Sequence, residues 1–125
     1  FETQDGAILV NEIAPRPHNT GHYTIEGCMT SQFENHVRAV LDLPLGATDL
    51  VAPHAVMVNV LGQRDGTPPE ADGWTQALAV SGAHVHIYGK PDVRPHRKMG
   101  HVTALAQTAE HARTQAETAA ARIVL

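Results

Sequence analysis

Prolines at positions 15 and 17 stiffen the segment of residues 13–22, which a glycine at 21 punctuates. Each proline fixes its own φ and lacks an N–H donor, and each biases the residue before it, Ala14 or Arg16, away from helix. The segment can therefore be neither a helix nor a central strand, and is expected as a stiff, extended loop. Before it, Asp5-Gly6 is a tight-turn signal between Phe1-Glu2-Thr3 and the run Ala7-Ile8-Leu9-Val10-Asn11-Glu12, which predicts a hairpin whose second strand ends at Glu12. On such a strand Ile8, Val10 and Glu12 share one face, so a carboxylate would stand at the rim of an apolar surface. The loop then presents Arg16, His18 and Asn19. Glu12 is a hard oxygen ligand suited to Mg²⁺, and Arg16 offers a planar fork matched to phosphate or carboxylate oxygens. The same residues also allow a plain alternative, in which Glu12 and Arg16 pair on the surface and His18 and His22 are solvated.

The rest of the chain alternates helical and strand patterns. Ser31 with Glu34 forms a capping box ahead of Phe33, Val37, Val40 and Leu41 at helical spacing, predicting a helix over about residues 32–43 that stops before Pro44. Val56-Met57-Val58-Asn59-Val60-Leu61 reads as a buried strand, residues 63–73 as a surface loop, and residues 74–80 as one short helix with Trp74 anchored in the core. His84-Val85-His86-Ile87-Tyr88 alternates as a half-buried strand should. Residues 89–95 turn, residues 98–105 return, and the pair makes a hairpin with a basic tip. Ala109, Ala112, Ala116, Ala119 and Ile123 recur at helical spacing, giving a terminal helix that packs on this sheet. The expected fold class is α+β, with residues 1–48 finishing one domain and residues 49–125 forming a small β-rich module. His84 and His86 point to one side of their strand and could serve a transition metal, though a polar sheet face suits them better.

With a formal net charge of -4 the chain lacks the excess of Lys and Arg that general nucleic-acid binding requires. It contains no apolar run near the roughly 20 residues of a membrane span. The lone Cys28 cannot form an internal disulfide and reads as a small buried residue, so a cytoplasmic home is expected. The first residue is Phe1 and the first residues already read as mid-hairpin, so the chain is expected to be a piece of something longer.

The run Asn11-Glu12-Ile13-Ala14-Pro15-Arg16-Pro17-His18-Asn19-Thr20-Gly21-His22 resembles the closing motif of the ATP-grasp ligases, in the form found in carboxyaminoimidazole ribonucleotide synthases. Ser31-Gln32-Phe33-Glu34, His36, Arg38 and Leu43-Pro44-Leu45-Gly46 continue the likeness. A second run, Tyr88-Gly89-Lys90 followed by Arg94-Pro95-His96-Arg97-Lys98-Met99-Gly100-His101, is similar to the family's C-terminal hairpin. The likeness reaches from Phe1 to about Leu105 and thins in the Ala-rich helix.

The resemblance implies a ligase that uses ATP and Mg²⁺ to join bicarbonate to 5-aminoimidazole ribonucleotide through carboxyphosphate. It implies Asn11 and Glu12 at the nucleotide, Glu12 on the metal, Arg16, His18 and Asn19 at the reacting bicarbonate, and Lys90 and Arg97 on the ribonucleotide phosphate. It further implies a homodimer and N-terminal lobes that carry the adenine site and an earlier acidic metal ligand, so the isolated piece should be inactive. His96 stands where the family more often has Gly, which questions the backbone angle of the turn and the placement of Arg97. Two other readings remain: a formate-using glycinamide ribonucleotide transformylase, which usually has His-Asp-Thr-Gly where this chain has His18-Asn19-Thr20-Gly21, and a non-catalytic phosphate-binding module.

Overall fold

In the computed structural model, residues 2–68 and 72–125 are described. A three-stranded antiparallel sheet of order β1-β3-β2 organises them, with β1 His54–Leu61, β2 Ala83–Ile87 and β3 Lys98–Ala106. Four helices accompany it: α1 Thr24–Gly27, α2 Gln32–Val40, α3 Asp72–Leu78 and α4 Ala109–Ala120. The fold is α+β.

The register explains how one sheet serves two purposes. Val58, Val102 and Val85 lie side by side across the three strands, as do Val56, Ala104 and Ala83. These belong to the apolar core with Val60, Met99, Trp74 and the buried face of α4. Along α4 the inward positions Ala112, Ala116 and Ala119 are fully buried, and their small size lets the helix axis approach the sheet closely. Because side chains alternate along a strand, the rows in between face the other way. Those rows are Asn59, His101 and His86, then Met57, Thr103 and His84. A polar face results, and α1 lies against its β3 strand.

Strands β2 and β3, helix α4 and the buried Cys28 lie where the sequence patterns put them. Other expectations are corrected. The opening hairpin reduces to a turn, with Gly6 at φ 82 and a single bridge between Glu2 and Ile8, and no strand runs on to Glu12. A single bridge is too short a ladder to hold a strand, and Ile8 and Val10 stand 78% and 85% exposed. Helix α2 keeps its Ser31 cap, whose hydroxyl accepts from the Glu34 N–H at 3.1 Å. It ends at Val40, before the expected Leu43, because Asp42 turns into the left-handed region at φ 54. Strand β1 starts at His54 and only its Val60 is fully buried. The short helix starts at Asp72, inside the segment expected as loop, and part of that loop lies outside the described residues. The short α1 had no counterpart in the sequence reading.

His96 adopts φ 63, the left-handed conformation that glycine takes freely. The backbone angle of the turn is thus the one a glycine would give, at a strain of about 1 kcal/mol or more. Two hydrogen bonds hold it there: the His96 N–H donates to Gly62 O at 2.8 Å, and the Gly62 N–H donates to Arg97 O at 2.8 Å. A side chain at Gly62 would collide with Arg94 O at 2.3 Å, so glycine is needed there for the basic turn to lie on the end of β1.

Candidate active site

The loop of residues 13–22 is held by a single side chain from α2. Gln32 Oε1 accepts from the His18 N–H at 2.9 Å, while Gln32 Nε2 donates to His18 O at 2.8 Å and lies 2.7 Å from His22 Nδ1. Both backbone groups of His18 are thereby satisfied as they would be by a neighbouring strand. Gly21 makes this possible, because a Cβ there would meet Gln32 Oε1 at 2.5 Å. Residues Asn19–Gly21 close into one turn of 3-10 helix, capped by the His18 ring. This turn is shorter and tighter than the extended loop expected from the prolines.

Glu12 and Arg16 do not pair. The Glu12 carboxylate lies 3.2 Å from His18 Nε2, and Arg16 is exposed and donates to Pro17 O at 3.1 Å. Asn11 is exposed beside them. Glu12 is thus an accessible carboxylate, the donor type Mg²⁺ accepts when substrate phosphates and water complete its shell. Among the described residues no three His, Cys, Asp or Glu side chains cluster to hold a metal by themselves. His84 and His86 accordingly lack a third ligand, and His86 instead meets Glu26 at 2.6 Å.

Lys90 and Arg97 both belong to the turn between β2 and β3. Lys90 Nζ donates to Lys98 O at 2.6 Å and stands 5.7 Å from the centre of the Tyr88 ring. Arg97 is half-buried and paired with the Asp92 carboxylate, its Nη1 also donating to Asp92 O at 3.2 Å. The guanidinium hydrogen bond, the largest cause, holds the Asp92 carboxyl below the usual carboxylate range.

The two motifs, far apart in sequence, meet through Lys98. Its Nζ donates to Asn19 Oδ1 at 2.7 Å, and Asn19 Nδ2 donates to Asn59 Oδ1 at 2.8 Å on β1.

Comparison with known proteins agrees with this pairing of motifs. The family model described as the ATP-grasp domain matches residues 1–33, and that described as the phosphoribosylaminoimidazole carboxylase C-terminal domain matches residues 55–115. The N5-carboxyaminoimidazole ribonucleotide synthase of Mycobacterium tuberculosis is 51% identical over 122 residues, covering 96% of this chain and 28% of that protein. The crystal structure of N5-carboxyaminoimidazole ribonucleotide synthetase from Thermotoga maritima matches with a TM-score of 0.87 at 54% identity, over 98% of this chain and 34% of that one. The chain is homologous to the N5-carboxyaminoimidazole ribonucleotide synthases. It corresponds to a C-terminal portion and spans about 28% of the length of the curated synthase it matches. The N5-carboxyaminoimidazole synthase from Aspergillus clavatus, crystallised with ADP and 5-aminoimidazole ribonucleotide, matches with a TM-score of 0.82 at 39% identity, over 98% of this chain and 33% of that one.

Four residues to which the sequence reading gave no role, Gln32, Asn59, Lys98 and His101, contact the loop of the candidate site. Asn59 and His101 sit on strands that read simply as apolar or basic, and only cross-strand register reveals that they face the loop. His101 is 2% exposed. Its ring stacks on His86 at 4.4 Å, lies 5.3 Å from His22, and its Nδ1 is 2.9 Å from Tyr88 Oη. Its Nε2 is buried without a partner. Burial first, then the neighbouring His86 and His22, push the His101 pKa down to about 4. The same desolvation, with Lys98 close by, lowers that of His22, and burial raises that of Tyr88.

The sign of the resulting pH dependence follows from linkage. An unfolded His101 titrates near 6.5, so between that value and about 4 the unfolded state binds the proton that the folded state refuses, and stability falls with pH. The contribution is fully present above pH 6.5 and should decline by on the order of 2 kcal/mol by pH 5. Urea midpoints of the chain between pH 7.5 and 5 should show this fall, and His101→Asn should flatten it. An equal slope in the variant would assign the fall to other groups.

Proposed function

We propose that this chain is the C-terminal part of a ligase that carboxylates the exocyclic amine of 5-aminoimidazole ribonucleotide with bicarbonate at the expense of ATP, in purine biosynthesis. One observation carries the reading. The loop bearing Arg16, His18 and Asn19 is hydrogen-bonded to Lys98, the neighbour of Arg97, so an anhydride held by the first motif and a ribonucleotide phosphate held by the second would belong to one reactant assembly. The Aspergillus clavatus structure with ADP and 5-aminoimidazole ribonucleotide supports that choice of substrates. The names of the matched relatives favour the carboxylating reading over the formate-using alternative.

In this reading a bicarbonate oxygen attacks the γ-phosphorus, ADP leaves, and carboxyphosphate forms. Its breakdown gives carbon dioxide and phosphate, the amine adds to the carbon, and the amine proton passes to phosphate. Arg16, His18 and Asn19 hold the bicarbonate and then the anhydride against water, which would otherwise hydrolyse it. Lys90 and Arg97 grip the ribonucleotide phosphate so that the amine sits near the carbon. Asn11 supports the nucleotide. Glu12 would hold Mg²⁺, which when bound offsets charge on the nucleotide phosphates. The division of the chain after residue 48 is part of the proposal, supported by the stretch of residues 34–54 that neither family model matches. So are the missing N-terminal lobes that complete the adenine site and cover the exposed apolar residues of the first half, a homodimer, and a cytoplasmic home.

The test is carried out on the complete protein with ATP, ¹³C-bicarbonate and the ribonucleotide. The expected result is one ADP for each ¹³C-labelled carbamate seen by NMR. Formation of ADP that depends on formate and glycinamide ribonucleotide would replace this reading with the transformylase.

A further inference from the structure

The amide of Gln32 meets three partners, and the chemistry of two of them decides the state of the third. The His18 N–H can only donate and His18 O can only accept. The amide must therefore turn Oε1 to the first, at 2.9 Å, and Nε2 to the second, at 2.8 Å. This leaves the second Nε2 hydrogen for His22 Nδ1, 2.7 Å away. That nitrogen must accept, so the clasp closes only on a neutral His22 whose proton sits on Nε2. A proton on Nδ1 would face an N–H donor, and the amide cannot flip to receive it without setting its oxygen against His18 O and its nitrogen against the His18 N–H. The surroundings of His22 disfavour that proton. Its half-buried ring packs against Phe33 of α2 at 5.2 Å, His101 of β3 at 5.3 Å and Tyr88 beyond β2 at 6.2 Å. The charged and titratable groups acting on it are Lys98, His18 and His86, while Glu26 of α1 is taken up by His86 and Glu12 by His18. Desolvation first, then these three groups, hold the His22 pKa below the ordinary histidine value.

We propose that His22 is a positioning residue for the carboxylating loop: its unprotonated Nδ1 completes the Gln32 clasp, and protonation of His22 opens the clasp and releases the His18 backbone. The proposal rests on the function given above and adds a proton-controlled latch to it. His22 need touch no reactant. With the clasp closed, both backbone groups of His18 are fixed between Pro17 and the turn at Asn19–Gly21. With it open, His18 and its neighbours Arg16 and Asn19 lose the placement at which they hold bicarbonate, and its attack on the γ-phosphorus slows. The sign follows from the lowered pKa: the latch is closed at neutral pH and opens as pH falls through a value below about 6.5.

The experiment measures kcat for ribonucleotide-dependent ADP formation from about pH 8 to about pH 5 in the complete enzyme, at a fixed bicarbonate concentration, beside an NMR titration of its ¹³C-labelled histidine rings. Wild-type kcat should fall about tenfold or more across that range, with its midpoint at the His22 titration, while the KM for the ribonucleotide moves less than about threefold. His22→Asn puts an amide oxygen where Nδ1 stood, an acceptor at every pH. Measured against its own value at about pH 8, the kcat of this variant should fall less than about threefold. Gln32→Glu keeps an acceptor for the His18 N–H and turns the group facing His22 into an acceptor as well, so only a protonated ring completes the contact. The His22 midpoint should then move from below about 6.5 to above it. An acid fall shared by wild type and His22→Asn would assign it to His18 or to the substrates and overturn the proposal, leaving the functional reading intact. A His22 midpoint that Gln32→Glu leaves unmoved would overturn it too. A wild-type enzyme that forms no carbamate at about pH 8 would instead remove the functional reading, and the proposal with it, even where His22 titrates as expected.

Discussion

Glu12→Gln in the complete enzyme is expected to lower turnover by about a hundred- to a thousandfold, because on the proposed reading it removes the charge of a metal ligand, worth several kcal/mol, without changing side-chain size. The structure adds that the fold should not suffer. Glu12 is exposed and its partner is His18 at 3.2 Å, a contact between two solvent-accessible groups that contributes little to stability. The melting temperature should therefore stay within about 1 °C, which separates a lost ligand from a lost structure. Turnover should be measured across a range of Mg²⁺ concentrations. A variant with near-normal turnover at low Mg²⁺ would show that Glu12 is not the ligand.

Arg97→Ala should act on binding. Losing one charge-assisted contact costs about 1.5 to 3 kcal/mol, so the apparent KM for the ribonucleotide should rise roughly ten- to a hundredfold while that for ATP hardly moves. The structure sharpens the expectation through Asp92. Its carboxylate is paired with Arg97 and with Arg94, whose Nε lies 2.7 Å away. Removing Arg97 deletes a cation and also leaves a less compensated carboxylate at the proposed phosphate site, which puts the effect toward the upper end of the range. Arg16→Ala is the matched opposite: it should cut turnover and alter ribonucleotide binding less, since its proposed partner is the reacting anhydride. Steady-state kinetics with the ribonucleotide varied at saturating ATP, and the converse, check both. An unchanged ribonucleotide KM in Arg97→Ala would reduce the hairpin to a solvated basic turn.

Much of this molecule is legible in the sequence. The period-2 pattern at residues 84–88, the capping signal at Ser31 and the alanine spacing of α4 are local signals, and the structure follows them. The family likeness is local too, since it rests on contiguous motifs whose residue types are fixed by chemistry. The misreadings have one cause in common. The strand expected to end at Glu12 has an apolar pattern but pairs only through the bridge of Ile8 with Glu2, and the end of α2 depends on the left-handed turn at Asp42. Pattern states what a segment would bury, and only a partner decides whether it does.

The site divides in the same way. The sequence by itself supplied the candidates for chemistry: a carboxylate at Glu12, the Arg16, His18 and Asn19 loop stiffened by two prolines, and a pair of cations at Lys90 and Arg97. Their identities follow from charge and hydrogen-bonding capacity, which a side chain possesses wherever it is placed. Only the tertiary structure decided how they are held. The amide of Gln32 takes the place of a neighbouring strand for His18, Asn59 and His101 turn to the polar face through cross-strand register, and Lys98 reaches Asn19 from 79 residues away. Register, face and long-range reach are properties of paired strands, and no single segment encodes them because each depends on where another segment lies.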